Sequence, residues 1–126
     1  MEQRKRILYI EDDTDLQWLV SHVLESAGFE VRVCSSGAEA LLGIGELSPD
    51  LVLLDVMMPG MDGFRVLREL RARPECAALP VVFITARSPH GDEYQRSGAQ
   101  GLIVKPFEPS ALVQQVRAYL GELVTV

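Results

Sequence analysis

The stretch LVLLDVMMPGMDG, residues 51–63, joins an apolar run to an acidic residue and then to a turn containing Pro and Gly. Residues 51–54 are all apolar, which is typical of a strand buried on both faces of a parallel sheet. Asp55 follows directly, although a carboxylate is seldom buried unless it is paired or binds a metal. Other parts of the sequence supply candidates for both kinds of partner.

Segments typical of strands and of helices alternate along the chain. The strand-like runs are residues 6–10, 30–34, 50–54, 80–84 and 101–104. The predicted helices cover about residues 14–27, 37–47 (capped by Ser36), 64–71, 92–97 and 109–120. The fourth helix is expected to be short, because residues 88–100 contain one Pro and two Gly residues.

This alternation predicts a single α/β domain over residues 1–126, with a core from about residue 6 to residue 120. Right-handed crossovers between parallel strands place helices on both faces of the sheet. For five strands we expect the doubly wound, flavodoxin-like sheet with the order 2-1-3-4-5 and five helices. Such sheets bind their ligands at the carboxyl ends of the strands.

Charge and composition restrict the expected partners and location. Twelve basic and eighteen acidic residues give a net charge of −6, which argues against direct binding of nucleic acid by this chain. No apolar run is long enough to span a membrane and no secretion signal is present, so we expect a cytoplasmic protein without membrane contact. Cys34 and Cys76 lack metal or redox spacing and are expected to be unpaired.

The carboxyl ends of the predicted strands carry the polar residues of the sequence that are best placed for chemistry. They are Glu11, Asp12 and Asp13 after the first strand, Asp55 after the third, Thr85 and Ala86 at the fourth, and Lys105 and Pro106 at the fifth. Asp12 and Asp55 follow neighbouring strands, and two carboxylates ~4 Å apart repel by about 4 kcal/mol at an effective dielectric constant near 20. Either a proton or a cation therefore lies between them. Ligands that are all oxygens favour Mg²⁺ or Mn²⁺ over zinc.

Thr85 and Lys105 extend this chemistry, because a hydroxyl and an ammonium can bind the oxygens of a phosphoryl group. A cation, a lysine and a hydroxyl around one carboxylate are what formation of an aspartyl phosphate requires. The interpretation is that Asp55 attacks the phosphorus atom in line, while the cation and Lys105 neutralise the charge on the moving group.

The segments ILYIEDD, LLDVMMPGMDG, ITA and VKPF, in this order, resemble the receiver domain of two-component response regulators. The resemblance extends from residue 6 to residue 120. It implies that Asp55 accepts a phosphoryl group from a histidine of a sensor kinase or phosphotransfer protein, which switches a surface that binds a downstream protein. It also implies a signalling domain that catalyses its own phosphorylation and dephosphorylation rather than an enzyme in the usual sense.

The same resemblance implies how the cation is bound. Asp12, Asp55 and the backbone carbonyl of Met57 would be direct ligands, and Glu11 would act through water. Asp13 would lie outside this ligand set.

For the phosphoryl group, the resemblance implies three contacts on the other side of Asp55. Thr85 would move toward the phosphate, the Ala86 amide would bind it, and Lys105 would pair with it. The peptide bond between Lys105 and Pro106 would be cis.

Three features differ from most receivers. Leu102 occupies a position that usually carries Tyr or Phe, so coupling between an aromatic residue and Thr85 is not expected in the usual form. The span from Thr85 to Lys105 is shorter than in most receivers. The segment GAQGL, residues 98–102, lacks an acidic pair that supports dimers in related regulators, so we expect a monomer or a weak dimer.

Two further residues border the expected site. Trp18 lies on the first helix opposite its apolar stripe, near His22, and is interpreted either as a docking residue for the phosphodonor or as a partly exposed aromatic residue. Arg87 lies two residues after Thr85 and is a candidate for controlling the access of water to the acyl phosphate. His22 and His90 are expected to be surface residues without a relay function.

Two other functions compete with this interpretation. A phosphatase of the haloacid dehalogenase type would use the acids of Asp13-Thr14-Asp15, but it leaves Asp55 and VKPF unexplained. A pseudo-receiver would bind partners without phosphorylation, which the substitution at Leu102 and the short fourth helix keep open.

Overall fold

The computed structural model describes residues 4–86 and 93–121. The strands are β1 Arg6–Ile10, β2 Glu30–Cys34, β3 Leu51–Leu54, β4 Val81–Thr85 and β5 Gly101–Val104. The helices are α1 Thr14–Ser26, α2 Gly37–Leu47, α3 Gly63–Arg71, α4 Glu93–Arg96 and α5 Pro109–Tyr119, with a short 3₁₀ helix at Pro74–Cys76. The prediction of five strands and five helices, with the fourth helix short, is confirmed.

All neighbouring strands of the sheet are parallel, and their order is β2-β1-β3-β4-β5. This is the predicted flavodoxin-like order. The pairing of Ile10 with Leu54 brings the ends of β1 and β3 to the same level, so the residues that follow them lie side by side. The Asp55 amide accordingly donates to the Ile10 carbonyl at 3.1 Å.

The sheet separates two groups of apolar side chains. Alternate residues of each strand point to opposite faces, so Leu8 and Ile10 pack with α2 and α3, whereas Ile7 and Tyr9 pack with α1 and α5. The strands β3 and β4 are buried along their whole length, as the apolar runs predict. Burial on both faces explains why these two strands do not show an alternation of polar and apolar residues.

Local side-chain contacts fix the helix starts close to the strand ends. Asp13, Ser36 and Asp62 cap α1, α2 and α3 by accepting a backbone N–H from the first turn, at 3.0, 3.1 and 2.9 Å respectively. Pro109 starts α5, where its missing N–H costs no hydrogen bond. The cap at Asp13 starts α1 shortly after β1 ends at Ile10, whereas α3 begins after a longer loop over residues 55–62.

At the opposite end of the sheet, Arg71 connects three segments. Its guanidinium donates to the Cys76 carbonyl at 2.8 Å, and to the Gly98 carbonyl and the Gln100 Oε1 at 3.1 Å each. Gln100 Oε1 also accepts the Val81 amide at 2.7 Å. The end of α3, the 3₁₀ helix and the residues that follow α4 are thereby held together.

Some details differ from the expectations. The 3₁₀ helix was not predicted from the sequence, because three residues are too few to show a period. Cys34 and Cys76 are free and buried, as expected. Arg87 and His90 lie outside the described residues. Within the described part of the chain, no helix is both long and apolar enough to cross a membrane.

Candidate functional site

Three carboxylates meet where β1 and β3 end. Oxygen atoms of Glu11, Asp12 and Asp55 all lie within 4.8 Å of one another. Glu11 is 1% exposed and Asp55 is 4% exposed, whereas Asp12 is exposed to solvent. The order of the strands predicts that these acids are close, and the parallel pairing of β1 with β3 is the physical reason that they are.

The carboxylate of Asp55 is oriented from two sides. Its Oδ1 accepts the Met57 amide at 3.1 Å, and its Oδ2 lies 3.7 Å from the Lys105 ammonium. The loop after Asp55 is closed by Gly63, whose amide donates to the Val56 carbonyl at 2.9 Å. A Cβ atom on Gly63 would lie 2.6 Å from the Asp55 carbonyl oxygen, so the start of α3 packs directly on this loop.

Glu11 is the most heavily bonded acid of the three. Its Oε1 accepts from the Lys105 ammonium at 2.8 Å and from the Tyr9 hydroxyl at 2.9 Å. The Gln17 side chain donates to the Glu11 carbonyl and to Ser35 Oγ, which links the loops after β1 and β2. Tyr9 and Gln17 were not among the residues predicted for this site. The period of two along a strand places Tyr9 on the same face as Glu11 and is the signal that would have found it.

The contacts around these acids shift their pKa values in opposite directions. Burial, followed by the neighbouring Glu11 carboxylate, raises the pKa of Asp55 to about 7, against the opposing charge of Lys105. Burial alone would raise the pKa of Glu11, but hydrogen bonds with Asp55, Lys105 and Tyr9 lower it below its usual range. Near neutral pH, Glu11 therefore carries the negative charge and Asp55 competes for a proton. A bound cation would relieve the same repulsion.

The ends of β4 and β5 complete the site. Thr85 is fully buried at the end of β4, Ala86 is exposed, and the Lys105 amide donates to the Thr85 carbonyl at 2.8 Å. The peptide bond between Lys105 and Pro106 is cis.

Leu102 lies next to Phe83 in the sheet, on the face that carries α3 and α4. The ring of Phe83 contacts Phe64 edge-on, with 5.0 Å between the ring centroids, and lies 6.2 Å from the ring of Tyr94. Position 102 is half-buried and packs against this cluster.

Trp18 lies on the exposed face of α1, as its helical position predicts. Its side chain is 69% exposed and stacks on the His22 ring, with 5.2 Å between centroids and 2° between the planes. A shallow groove beside it is lined by Thr14, Gln17, Trp18, Ser21, His22, Glu25 and Val33.

Comparison with protein families gives one match that spans most of the chain. The family model described as the response regulator receiver domain matches residues 7–117. The chain belongs to this family. The resemblance stated from the sequence motifs is thereby confirmed, and receiver domains are signalling domains.

A similar relative is the DNA-binding response regulator MtrA of Mycobacterium tuberculosis, which is 44% identical over 119 residues. This match covers 93% of the present receiver and 51% of MtrA, so the chain spans about half the length of the curated relatives it matches. The expectation from the net charge that nucleic acid is excluded as a partner is wrong, because MtrA is a DNA-binding response regulator. The net charge of −6 describes the receiver alone, and the charge of a receiver does not report on DNA binding by a longer regulator that contains one.

Two solved structures show the same fold. The chemotaxis protein CheY4 of Vibrio cholerae superposes with a TM-score of 0.88 at 29% identity, covering 93% of this receiver and 99% of CheY4. The receiver domain of the sensor histidine kinase PA1611 of Pseudomonas aeruginosa, solved with a magnesium ion coordinated in its active site cleft, gives a TM-score of 0.86 at 26% identity. That match covers 95% of this chain and all of the other.

Proposed function

We propose that this receiver accepts a phosphoryl group on Asp55 from a histidine of a sensor kinase or phosphotransfer protein, in a reaction that depends on Mg²⁺. The observation that carries the proposal is the position of Asp55. Its carboxylate ends a buried strand between two further acids and the Lys105 ammonium, which lies 3.7 Å from Oδ2. This arrangement places a nucleophile between acids that can bind a cation and an ammonium that can bind phosphoryl oxygens.

The donor set fits a hard divalent cation. Three carboxylates are available, and none of the ligands is a nitrogen or a sulfur atom. The pKa of Asp55 is raised by burial and then by the neighbouring Glu11 carboxylate, and a cation would favour the ionised form of both acids. We assign Asp12, Asp55 and the Met57 carbonyl as direct ligands and Glu11 as a ligand through water. When bound, Mg²⁺ or Mn²⁺ would neutralise charge on the phosphoryl oxygens.

The residues of the chain provide the other parts of the reaction. An oxygen of Asp55 forms the bond to phosphorus while the bond from phosphorus to the donor histidine nitrogen breaks. Lys105, the Thr85 hydroxyl and the Ala86 amide bind the transferred oxygens, and these charge-assisted bonds stabilise the phosphorylated form. To shift a surface with two conformations from a ratio of 1:99 to 99:1, these bonds would have to stabilise one conformation over the other by about 5.5 kcal/mol.

Intact-mass analysis after incubation with acetyl phosphate tests the phosphorylated residue. The wild-type chain should gain one phosphoryl group in the presence of Mg²⁺ and none after chelation. Asp55→Asn should gain none, whereas the control Asp15→Asn removes an exposed acid of α1 and should react like the wild type. Equal labelling of Asp55→Asn would refute the assignment, and an unlabelled wild type would favour a pseudo-receiver.

The same experiment separates this function from a phosphatase. Asp13 accepts the Leu16 amide at 3.0 Å as the cap of α1 and is exposed, so its carboxylate is engaged in the helix start. Label found on Asp13, or turnover of phosphate monoesters, would favour the phosphatase.

Trp18 is proposed as a docking residue for the phosphodonor. It lies in the second turn of α1, which begins three residues after Glu11, so its exposed ring is on the helix that starts beside the acidic site. Trp18→Ala should slow phosphorylation by a sensor kinase that acts on the wild type, because a large interface contact is lost. Phosphorylation by acetyl phosphate should be unchanged, and equal slowing with both donors would contradict docking.

The likeness to MtrA suggests the output. We propose that phosphorylation of this receiver controls DNA binding by the protein in which it functions. Binding of that protein to DNA fragments, measured with and without acetyl phosphate and Mg²⁺, tests the proposal, and identical affinities in the two states would overturn it.

A further inference from the structure

Tyr9 is the largest fully buried side chain among the described residues. It lies in β1 between Val33 of β2 and Leu53 of β3, and its ring packs with the apolar residues under α1 and α5. A phenol buried in this way needs an acceptor for its hydroxyl. The acceptor is Oε1 of Glu11, at 2.9 Å.

The same oxygen of Glu11 binds Lys105. The ammonium lies 2.8 Å from Glu11 Oε1 but 3.7 Å from Asp55 Oδ2, so the lysine is hydrogen-bonded to Glu11 and only near Asp55. The other oxygen of Glu11, Oε2, lies 3.4 Å from the Asp13 amide, and the Glu11 carboxylate also shares a hydrogen bond with Asp55. Oε1 is thus the oxygen committed to protein donors.

In the proposed reaction, a phosphoryl group on Asp55 would add negative charge near Lys105 and would draw the ammonium away from Glu11. Glu11 is then a carboxylate with 1% exposure that has lost its ammonium partner. Breaking a buried ion pair by removing one partner is unfavourable, so the groups that still interact with Glu11, the Tyr9 hydroxyl and the cation through water, have to stabilise its charge. The Tyr9 hydroxyl is the donor that remains on Oε1 after the lysine has left.

We propose that Tyr9 is a positioning residue for phosphorylation, which holds Glu11 so that Lys105 can move to the phosphoryl group on Asp55. The inference rests on the proposed function, since it concerns a step of that reaction. Tyr9 touches neither the phosphoryl group nor the cation and acts through Glu11.

Tyr9→Phe tests this role, because it removes the hydroxyl and keeps the ring that fills the core. With acetyl phosphate and saturating Mg²⁺, the rate of phosphorylation should fall by about tenfold, the size expected for one lost hydrogen bond to a charged group. Tyr119→Phe is the matched control. Its ring packs over Gly101 at the far end of α5, and its rate should equal that of the wild type.

The Glu11→Gln background separates positioning from a general packing effect. A neutral amide does not retain the lysine as a carboxylate does, so adding Tyr9→Phe to Glu11→Gln should slow the reaction by less than about twofold. A purely structural role of Tyr9 would give the same factor in both backgrounds and would overturn the inference.

The two hypotheses fail in different ways. A wild-type chain modified on Asp55, together with Tyr9→Phe reacting at the wild-type rate, would overturn the role of Tyr9 and leave the proposed function intact. A wild-type chain that gains no phosphoryl group would overturn the proposed function and this inference with it.

A measurement on the wild type covers the case in which Tyr9→Phe does not fold. Beryllofluoride with Mg²⁺ is a stable substitute for the phosphoryl group. On its addition, the nitrogen resonance of the Lys105 ammonium should shift, while the Tyr9 hydroxyl proton should stay protected from exchange with water. A Tyr9 hydroxyl that exchanges freely in this state would refute the proposal.

Discussion

Glu11 and Asp55 are two buried carboxyl groups in the same site. Their different surroundings determine which of them carries the negative charge. Glu11 receives donors from Tyr9 and Lys105, and its pKa is low. Asp55 receives one amide and a more distant ammonium, and its pKa is raised to about 7. The acid proposed as the nucleophile is therefore the one whose negative charge is less stabilised by hydrogen bonds and ion pairs from the protein. A cation and a phosphoryl group would supply what it lacks.

This difference predicts how stability depends on pH without divalent cations. Because the folded state holds a proton on Asp55 that the unfolded chain releases near its ordinary pKa of 3.8, stability should fall as the pH rises from about 4 through 7. The full effect is at most about 4 kcal/mol. The lowered pKa of Glu11 acts in the opposite sense, but only below its ordinary value of 4.5.

Urea unfolding at pH 5 and pH 8 checks the prediction. Asp55→Asn should lose most of the difference between the two pH values and should be more stable than the wild type at pH 8. Mg²⁺ at pH 8 should stabilise the wild type more than Asp55→Asn. A wild type whose stability rises between pH 5 and pH 8 would contradict the assignment of the proton to Asp55.

At the residue scale, the sequence predicted which groups gather but not how they are bonded. The order of the strands brings together whatever follows β1, β3, β4 and β5, so the proximity of Asp12, Asp55 and Lys105 follows from the pattern alone. The pairing of Lys105 with Glu11 at 2.8 Å, rather than with Asp55 at 3.7 Å, depends on side-chain reach and on the hydroxyl of Tyr9. The hydrophobic periodicity of the sequence does not indicate which of the two carboxylates Lys105 binds.

At the element scale, the contact between α3 and the loop after β3 determines how Asp55 is held. Gly63 begins α3, and its backbone lies so close to Asp55 and Val56 that a side chain has no room. The glycine is needed for this close approach and not for an unusual backbone angle. The position of the helix and the position of the carboxylate are therefore coupled.

Gly63→Ala should accordingly affect both stability and chemistry. The added Cβ would lie 2.6 Å from the Asp55 carbonyl oxygen and 2.8 Å from the Val56 Cα, so the backbone has to shift. We expect a loss of about 1–3 kcal/mol in the free energy of unfolding and a slower phosphorylation by acetyl phosphate.

Gly45→Ala in α2 is the matched control. Outside the neighbouring backbone of α2, its added Cβ would meet no atom within 4 Å, and alanine is favoured over glycine inside a helix, so a gain of about 0.5–1 kcal/mol is expected. Urea unfolding and intact-mass kinetics measure both variants. A Gly63→Ala variant as stable and as reactive as the wild type would refute the coupling.

The limits of the elements were predictable to within a residue or two for most strands and helices. Apolar runs and caps mark them, as at Ser36 and Pro109, and the Gly residues of 88–100 account for the short α4. The 3₁₀ helix at Pro74–Cys76 was not predictable in the same way. Its position depends on Arg71, which donates to the Cys76 carbonyl and thus acts through tertiary contacts.

At the scale of the whole molecule, the sheet keeps the two groups of apolar side chains apart. Val66 of α3 belongs to one group, and Val116 of α5 belongs to the other. Substitutions in contact with one another interact energetically, whereas distant substitutions without shared partners are additive.

The double variant Val66→Ala with Val116→Ala should therefore lose stability as the sum of the single losses, within about 0.5 kcal/mol. Leu112→Ala with Val116→Ala is the comparison, because both residues lie one turn apart on α5 and in the same apolar group. Urea unfolding gives both values. If the first pair deviates from additivity as much as the second pair, the two groups of apolar side chains are not independent.

The three bonds donated by Arg71 have a mechanical consequence for α4. Two of them hold Gly98 and Gln100, which follow this one-turn helix, at the end of α3, and the third binds the Cys76 carbonyl. A displacement of α4 in response to events near Asp55 would therefore be a swing about a pivot at its carboxyl end, with the largest excursion at its amino end. Lysine could not replace Arg71 here, because its single ammonium lacks the forked donors of a guanidinium that reach all three acceptors at once.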